Sequence, residues 1–362
     1  MTNQYRKVVG VAVIIVVAVA GYVGYVNYFK PASTTQPSQI VTLTGAGATF
    51  PYPLYQKWAS EYEKVDNTIR VNYQSIGSGA GIRQIIERTV DFGGSDAPMT
   101  DAQLKTAPGE ILHIPTVLGA VVVTYNIPGI SRALHLTPDV LASIFLGEIE
   151  RWNDPKLAEI NPTLSLPEKD IALVHRSDGS GTTNIFTDYL SKVDQRWATK
   201  VGMGTSVNWP VGIGAKGNEG VSGQVKQTPY SIGYVELTYA IQNNLPCALL
   251  RNQAGKFIEP TLESTTAAAA GIIQSIPADM RVSIVNALGD NAYPIAGFTY
   301  LLVYKDQAEL NRGKALARFL WWAIHDGQRH APSLLYAPLP SQVVALAETK
   351  IKSMNFHGQP LL

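Results

Sequence analysis

The chain has 362 residues, 46% of them apolar and 16% charged, and its formal charge is +1. That length suits two domains, and the apolar share excludes a disordered chain. Balanced charge gives no general reason to expect nucleic acid, and an anion would need a local site rather than a general field.

At the N-terminus, Arg6 and Lys7 precede an apolar run from Val8 to Ala20, continued by Gly21-Tyr-Val-Gly-Tyr-Val26. A basic start, an apolar middle and Ala18-Val19-Ala20 fit a secretory leader with a cleavage site. Val8 to Val26 is also 19 residues, close to the roughly 20 that span a bilayer. Residues 1–29 are therefore expected to be either a signal peptide or a membrane anchor through residues 8–26. Both place the body outside the cytoplasmic membrane, and the basic flank keeps an anchored N-terminus inside. No cysteine follows the run, which excludes a lipidated start. Residues 30–40 include Pro31 to Gln39, PASTTQPSQ, and read as a flexible tether.

From Val41 onward, short β-branched runs alternate with amphipathic stretches, the pattern of an α/β body. Strands are predicted at Ile69–Tyr73, Ala120–Tyr125, Ile171–His175, Ile232–Val235 and Tyr300–Tyr304. Helices are predicted at Pro53–Glu63, Ile82–Arg88, Pro138–Leu146, Thr183–Leu190 and Lys314–His325. The single cysteine, Cys247, can form neither an intrachain disulfide nor a zinc site alone, and reads as a small buried apolar residue.

Three strand-to-helix junctions share one chemistry. The first is Leu43-Thr-Gly-Ala-Gly-Ala-Thr49-Phe50-Pro51, where Thr49 suits a helix cap and Leu54, Trp58 and Tyr62 follow on one face. The second is Gly77-Ser78-Gly79-Ala80-Gly81, leading into Ile82, Ile85 and Ile86. The third is Arg176-Ser-Asp178-Gly179-Ser180-Gly181-Thr182-Thr183, leading into Ile185, Phe186, Tyr189 and Leu190. A helix start leaves N–H donors unpaired and carries partial positive charge. Glycine allows close approach and Ser or Thr adds a donor, so each junction suits an anion. One such loop is weak evidence, because glycine-rich turns often only connect elements. Three together are not.

A nucleotide is disfavoured. None of the junctions carries the G-x-x-x-x-G-K-[ST] or G-x-G-x-x-G spacing, and Gly212-Ile-Gly-Ala-Lys216-Gly217 fails the first. Arg176 is the obvious cation among the loops, its planar fork fits a tetrahedral oxyanion, and Asp178 is placed to hold it. A surface ion pair is the plainer use of the same two residues. Asp96, in Asp91-Phe-Gly-Gly-Ser-Asp96-Ala-Pro98, would repel a fully ionised anion but would accept the proton of one that keeps it. Phosphate near neutral pH keeps such a proton and sulfate does not. The same aspartate would also serve in a turn or cap, and sequence does not place it beside the loops.

An enzyme is the rival class. Ser180 has His175 five positions away, but Asp-Gly-Ser-Gly-Thr lacks the outer glycines of the G-x-S-x-G elbow. The six histidines form no H-E-x-x-H, so a metal hydrolase gains no support. Neither catalytic residues, a metal nor a cofactor is expected.

Leu43-Thr-Gly-Ala-Gly-Ala-Thr-Phe-Pro51, Val90-Asp-Phe-Gly-Gly-Ser-Asp-Ala-Pro98 and Arg176-Ser-Asp-Gly-Ser-Gly-Thr182 together resemble the bacterial periplasmic phosphate-binding proteins, receptors of phosphate-specific ABC transporters. Ile127-Pro-Gly129, Lys216-Gly-Asn-Glu-Gly220 and Ile232-Gly-Tyr-Val-Glu236 add to the likeness, which runs from about Val41 to Leu339. The resemblance implies a two-lobed α/β fold of the type II periplasmic-binding-protein kind, with the anion in the cleft between lobes. It implies a phosphate shell of Thr49, Phe50 through its backbone, Ser78, Asp96, Arg176, Ser180, Gly181 and Thr182, with Asp178 steadying Arg176. Asp96 would accept the phosphate proton. The implied partners are inorganic phosphate and the permease and ATPase subunits of an ABC transporter, with the receptor a monomer. Lobe one is expected at Val41–Val121 plus Asn291–Leu362 and lobe two at Val122–Asp290, with a hinge at Ala120–Tyr125 and Tyr300–Tyr304. A membrane-held phosphate sensor or scaffold is the alternative reading, and a serine hydrolase or phosphatase a remote one.

Overall fold

The computed structural model describes residues 40–130, 132–272 and 276–362, together with residues 10, 12, 17–22 and 25. The leader or anchor and the tether otherwise lie outside the described residues. Among the described residues no helix is long and apolar enough to cross a membrane.

The body is built on one curled mixed sheet. Its first elements are β1 (Val41–Gly47), α1 (Tyr52–Val65), β2 (Ile69–Ser75), α2 (Ser78–Ile86) and β3 (Phe92–Ser95). Next come β4 (Ile111–Asn126), β5 (Ala172–Arg176), α3 (Gly181–Val193), β6 (Ile213–Ala215), α4 (Gly217–Gln227) and β7 (Ser231–Glu236). The remaining elements that matter for the site are β8 (Ala296–Tyr304), α5 (Leu310–Ile324) and α6 (Ser341–Lys352). Strand order is β2-β1-β3-β8-β4-β7-β5-β6. β1 pairs parallel with β2 and β3, while β8 runs antiparallel to both β3 and β4. Beyond β4, β7 pairs antiparallel with it, and β5 pairs parallel with β7 and β6.

β4 joins the two halves of the sheet. Its Ile111–Ala120 portion pairs with β8 and its Val121–Asn126 portion with β7. Fifteen of its 16 residues are buried, which is why it reads as a continuous apolar run rather than an alternating one. Pro115 is tolerated in this central strand because it sits at a bulge. Thr299 faces Val117 and Tyr300 faces Pro115, leaving Thr116 as the extra residue. The crossing between halves falls at Ala120–Val121 on β4 and just before Ala296 on β8. Tyr300–Tyr304, expected at the hinge, instead pairs with Ile111–Pro115 inside the first half, because β8 begins four residues earlier than predicted.

The helices are amphipathic for the expected reason. Leu54, Trp58 and Tyr62 lie on the buried face of α1, where Trp58 Nε1 donates to the Gly327 carbonyl at 2.8 Å. Burial of a side chain such as Leu54 contributes about 1.5–3 kcal/mol. Several predicted features shift, α5 for one beginning at Leu310 rather than Lys314. Helix α2 already begins at Ser78 and stops at Ile86, since Arg88 takes a φ of +55° that no helix accepts. Thr49 does not cap α1, whose cap position is Pro51. Cys247 is half-buried rather than enclosed, and burial pushes its thiol up to about 12.

Candidate functional site

β1, β2, β3 and β5 all end at the same place, so the junctions that follow them converge. This is the crevice at the carboxyl ends of parallel strands where open α/β sheets hold ligands. The residues Thr49, Phe50, Ser78, Asp96, Arg176, Ser180 and Thr182 are each 3% exposed or less. All eight predicted positions belong to this one buried cluster, and Gly181 is buried with them.

The glycines are there for contact. Gly77, at φ +90°, ends the loop before α2, and a Cβ on it would lie 2.4 Å from Asp178 Oδ2. A Cβ on Gly181 would lie 2.5 Å from both Asp96 Oδ2 and Ser78 Oγ. Ser78, Gly79 and Gly81 form the first turn of α2 instead of a separate loop, and Ser180 caps α3 by accepting from the Thr183 N–H at 3.0 Å.

Charged side chains stand inside. Arg176 Nε and Nη2 donate to Asp178 Oδ1 and Oδ2 at 2.7 and 2.6 Å, the bidentate pairing expected of them. Its side chain is 1% exposed, so the pair is interior rather than on the surface. Nη1 turns the other way, toward Thr182 Oγ1 at 3.4 Å. Burial alone would raise the Asp178 carboxyl. Hydrogen bonds and charge from Arg176, with the Gly217 N–H at 3.1 Å, outweigh it and hold Asp178 below its ordinary value.

Asp96 stands in the bend after β3, but its side chain serves neither as a helix cap nor within that bend. Its Oδ1 accepts from Thr299 Oγ1 at 2.7 Å, and Ser78 Oγ donates to Oδ2 at 3.4 Å. Thr299 reaches it because β8 runs antiparallel to β3 with Tyr300 opposite Ser95, which brings Thr299 level with Asp96. Burial pushes the Asp96 carboxyl up to about 7, against the opposing pull of Thr299, Arg176 and Ser78. It is the one carboxylate among the eight.

Contacts across the junctions seal the cluster. The Gly79 N–H donates to the Gly179 carbonyl at 2.8 Å, and the Gly181 N–H to Ser78 Oγ at 3.0 Å. Tyr239 donates to the Thr49 carbonyl at 2.6 Å, and Ser75 to Glu219 at 3.0 Å. The Phe50 carbonyl accepts from the Tyr336 hydroxyl at 2.7 Å, and Tyr336 also lies 3.1 Å from the buried Glu236. Burial raises the Glu236 carboxyl well above its ordinary value. Tyr336→Phe is expected to cost about 1–3 kcal/mol of stability, since it strips a buried carbonyl of its donor. A urea midpoint that does not move would show that Phe50 finds another partner.

Two residues at the centre escaped the sequence reading. Asn218 is fully buried, with Nδ2 2.8 Å from Thr49 Oγ1 and 3.1 Å from Thr182 Oγ1. It lies in the quoted Lys216-Gly-Asn-Glu-Gly220 motif, so a signal existed but carried no role. Thr299 had no signal, because it sits on a strand far from every junction. His175 and Ser180 have separate partners: the His175 ring stacks on Trp209 with centroids 4.9 Å apart and its Nδ1 faces the Arg176 carbonyl, while Ser180 Oγ accepts from the Thr183 N–H.

Residues 32–326 match the PBP superfamily domain, so fold and site together define a binding protein of that superfamily. The phosphate-binding protein PstS of Pasteurella multocida is 47% identical over 323 residues, covering 88% of this chain and 93% of the relative. The PstS protein of Haemophilus influenzae is 46% identical over 327 residues, covering 90% and 97%. A high-affinity periplasmic phosphate-binding protein (PfluDING), solved with bound phosphate, shares the fold with a TM-score of 0.66 at 20% identity, over 89% of this chain and 100% of that one. The chain belongs to the PstS family of phosphate-binding proteins and has their two-lobed α/β architecture.

Proposed function

We infer that this chain captures inorganic phosphate outside the cytoplasmic membrane and delivers it to an ABC importer. The observation that carries this is the buried cluster itself. One guanidinium, held by Asp178, and one carboxylate, Asp96, are surrounded by hydroxyls and helix-start N–H groups from three junctions. Such a set gives many donors for anionic oxygens and one acceptor for a retained proton.

In this reading the phosphate shell is Thr49, the Phe50 backbone, Ser78, Asp96, Arg176, Ser180, Gly181 and Thr182. The lobes are residues 41–121 with 291–362, and residues 122–290. They bend where the chain passes between the halves, within β4 at Ala120–Val121 and in the segment leading into β8, and phosphate favours the closed state because only closure completes its hydrogen bonds. The receptor acts as a monomer, and its partners are the permease and ATPase subunits. The role is binding rather than catalysis.

Calorimetry on residues 40–362, with phosphate and then sulfate at neutral pH, tests this. One-to-one phosphate binding without sulfate heat is expected. No phosphate binding by a folded, ligand-stripped sample would overturn the assignment.

A further inference from the structure

Resting on the reading that the cluster holds phosphate, we propose that Asn218 is a positioning residue that turns the hydroxyl protons of Thr49 and Thr182 toward the anion. A threonine hydroxyl has one proton to donate and two lone pairs to accept with. Thr49 Oγ1 receives the Asn218 Nδ2 at 2.8 Å and the Asn218 backbone N–H at 3.2 Å. Thr182 Oγ1 receives the same Nδ2 at 3.1 Å and Arg176 Nη1 at 3.4 Å. Both oxygens therefore accept twice, and what each has left is its proton.

The orientation of the Asn218 amide is fixed by its other end. Asn218 Oδ1 accepts the Glu236 N–H at 2.9 Å, which leaves both Nδ2 hydrogens for the two threonines. A hydroxyl free to give its proton to a neighbour would instead turn lone pairs toward an anionic ligand and repel it. By saturating their acceptor side, Asn218 makes these two hydroxyls permanent donors. The acceptor role is then left to Asp96.

The arrangement also depends on closure. Thr49 follows β1 in the first half of the sheet, whereas Asn218 and Thr182 begin α4 and α3 in the second. The Asn218–Thr49 bonds thus form only when the junctions of the two halves meet. Donor orientation and closure become one event.

The test is phosphate calorimetry on the full chain. Asn218→Ala should weaken binding tens- to hundredfold. Asn218→Asp, which keeps the shape but offers lone pairs to both hydroxyls, should weaken it at least as much, and it serves if the alanine variant folds poorly. A purely structural asparagine would give the same penalty in any background. If it acts through Thr49, the Asn218→Ala penalty should shrink at least threefold in a Thr49→Val background. Binding within threefold of the unaltered chain for both Asn218 variants would overturn the proposal, as would an undiminished penalty beside Thr49→Val. An unaltered chain that binds no phosphate would instead sink the functional reading on which it rests.

Discussion

Arg176→Ala is expected to weaken phosphate binding by about 3–5 kcal/mol, roughly two to four orders of magnitude. The guanidinium is inside the protein, 1% exposed, with two hydrogen bonds to Asp178 and a third nitrogen turned to Thr182. Its removal leaves Asp178 and Asp96 in the interior with no cation among the eight site positions to offset them. The incoming anion would add a further negative charge to that uncompensated pair. Arg176→Lys should recover only part of the loss, because a point charge cannot match both Asp178 oxygens and still face the ligand. Calorimetry reads both variants. A loss below about 1 kcal/mol for the alanine variant would place Arg176 outside the phosphate shell.

Asp96→Asn is expected to admit sulfate. The carboxylate accepts a ligand proton and repels an oxyanion that has none, whereas an amide can donate to either. Competition binding should show the phosphate-to-sulfate preference fall at least tenfold, and unchanged selectivity would remove Asp96 from that role. The same substitution has a pH signature in phosphate-free protein. Burial sets the folded carboxyl at about 7, above the ordinary 3.8. A raised folded value means the native state holds the proton more tightly than the unfolded chain does. The penalty is therefore absent below pH 4, grows between pH 4 and 7, and is complete above that window, at about 4 kcal/mol. Asparagine removes it. Asp96→Asn should accordingly stabilise the phosphate-free protein at pH 8 and lose that advantage near pH 4. A stability difference that ignores pH would contradict the buried-carboxylate account.

Much of the site was legible because its chemistry is local. Gly77-Ser78 and Ser180-Gly181-Thr182 each carry donor, glycine and helix start within a few residues, and Arg176-Ser-Asp178 sets a cation two residues from its carboxylate. Asp96 could be read as a proton acceptor, but its partner could not. Thr299 comes to it from β8 through the antiparallel register with β3, which only the paired strands reveal. The fold shows the same division. Predicted strands at Ile69–Tyr73 and Ile232–Val235 lie within β2 and β7, where β-branched and aromatic residues dominate. By contrast, β3 is Phe-Gly-Gly-Ser and α4 contains three glycines, so propensity argued against both. β3 exists because its glycines admit close neighbours, the Tyr73 ring lying against Gly94 and Ile85 against Gly93, whereas the open space beside Gly223 offers no such reason for α4. The Ile111–Gly119 part of β4 lies outside the predicted Ala120–Tyr125 strand; His113 and Pro115 interrupt its apolar run, and the bulge that excuses Pro115 is not a local feature.

β8 sets the order in which the molecule can be completed. It fills the gap between β3 and the first portion of β4, yet it is made long after both. A chain emerging N-terminus first therefore carries two unfilled strand edges through most of its synthesis. The second half, from Val121 to the end of β7, has its own partners in hand much earlier. It becomes the first stable body, and the half begun first is the one finished last. In refolding followed by pulse-labelled hydrogen exchange, Ile232 should gain protection before Leu301. Until that late strand docks, the growing chain needs a holdase, or confinement, to keep its open edges from another copy.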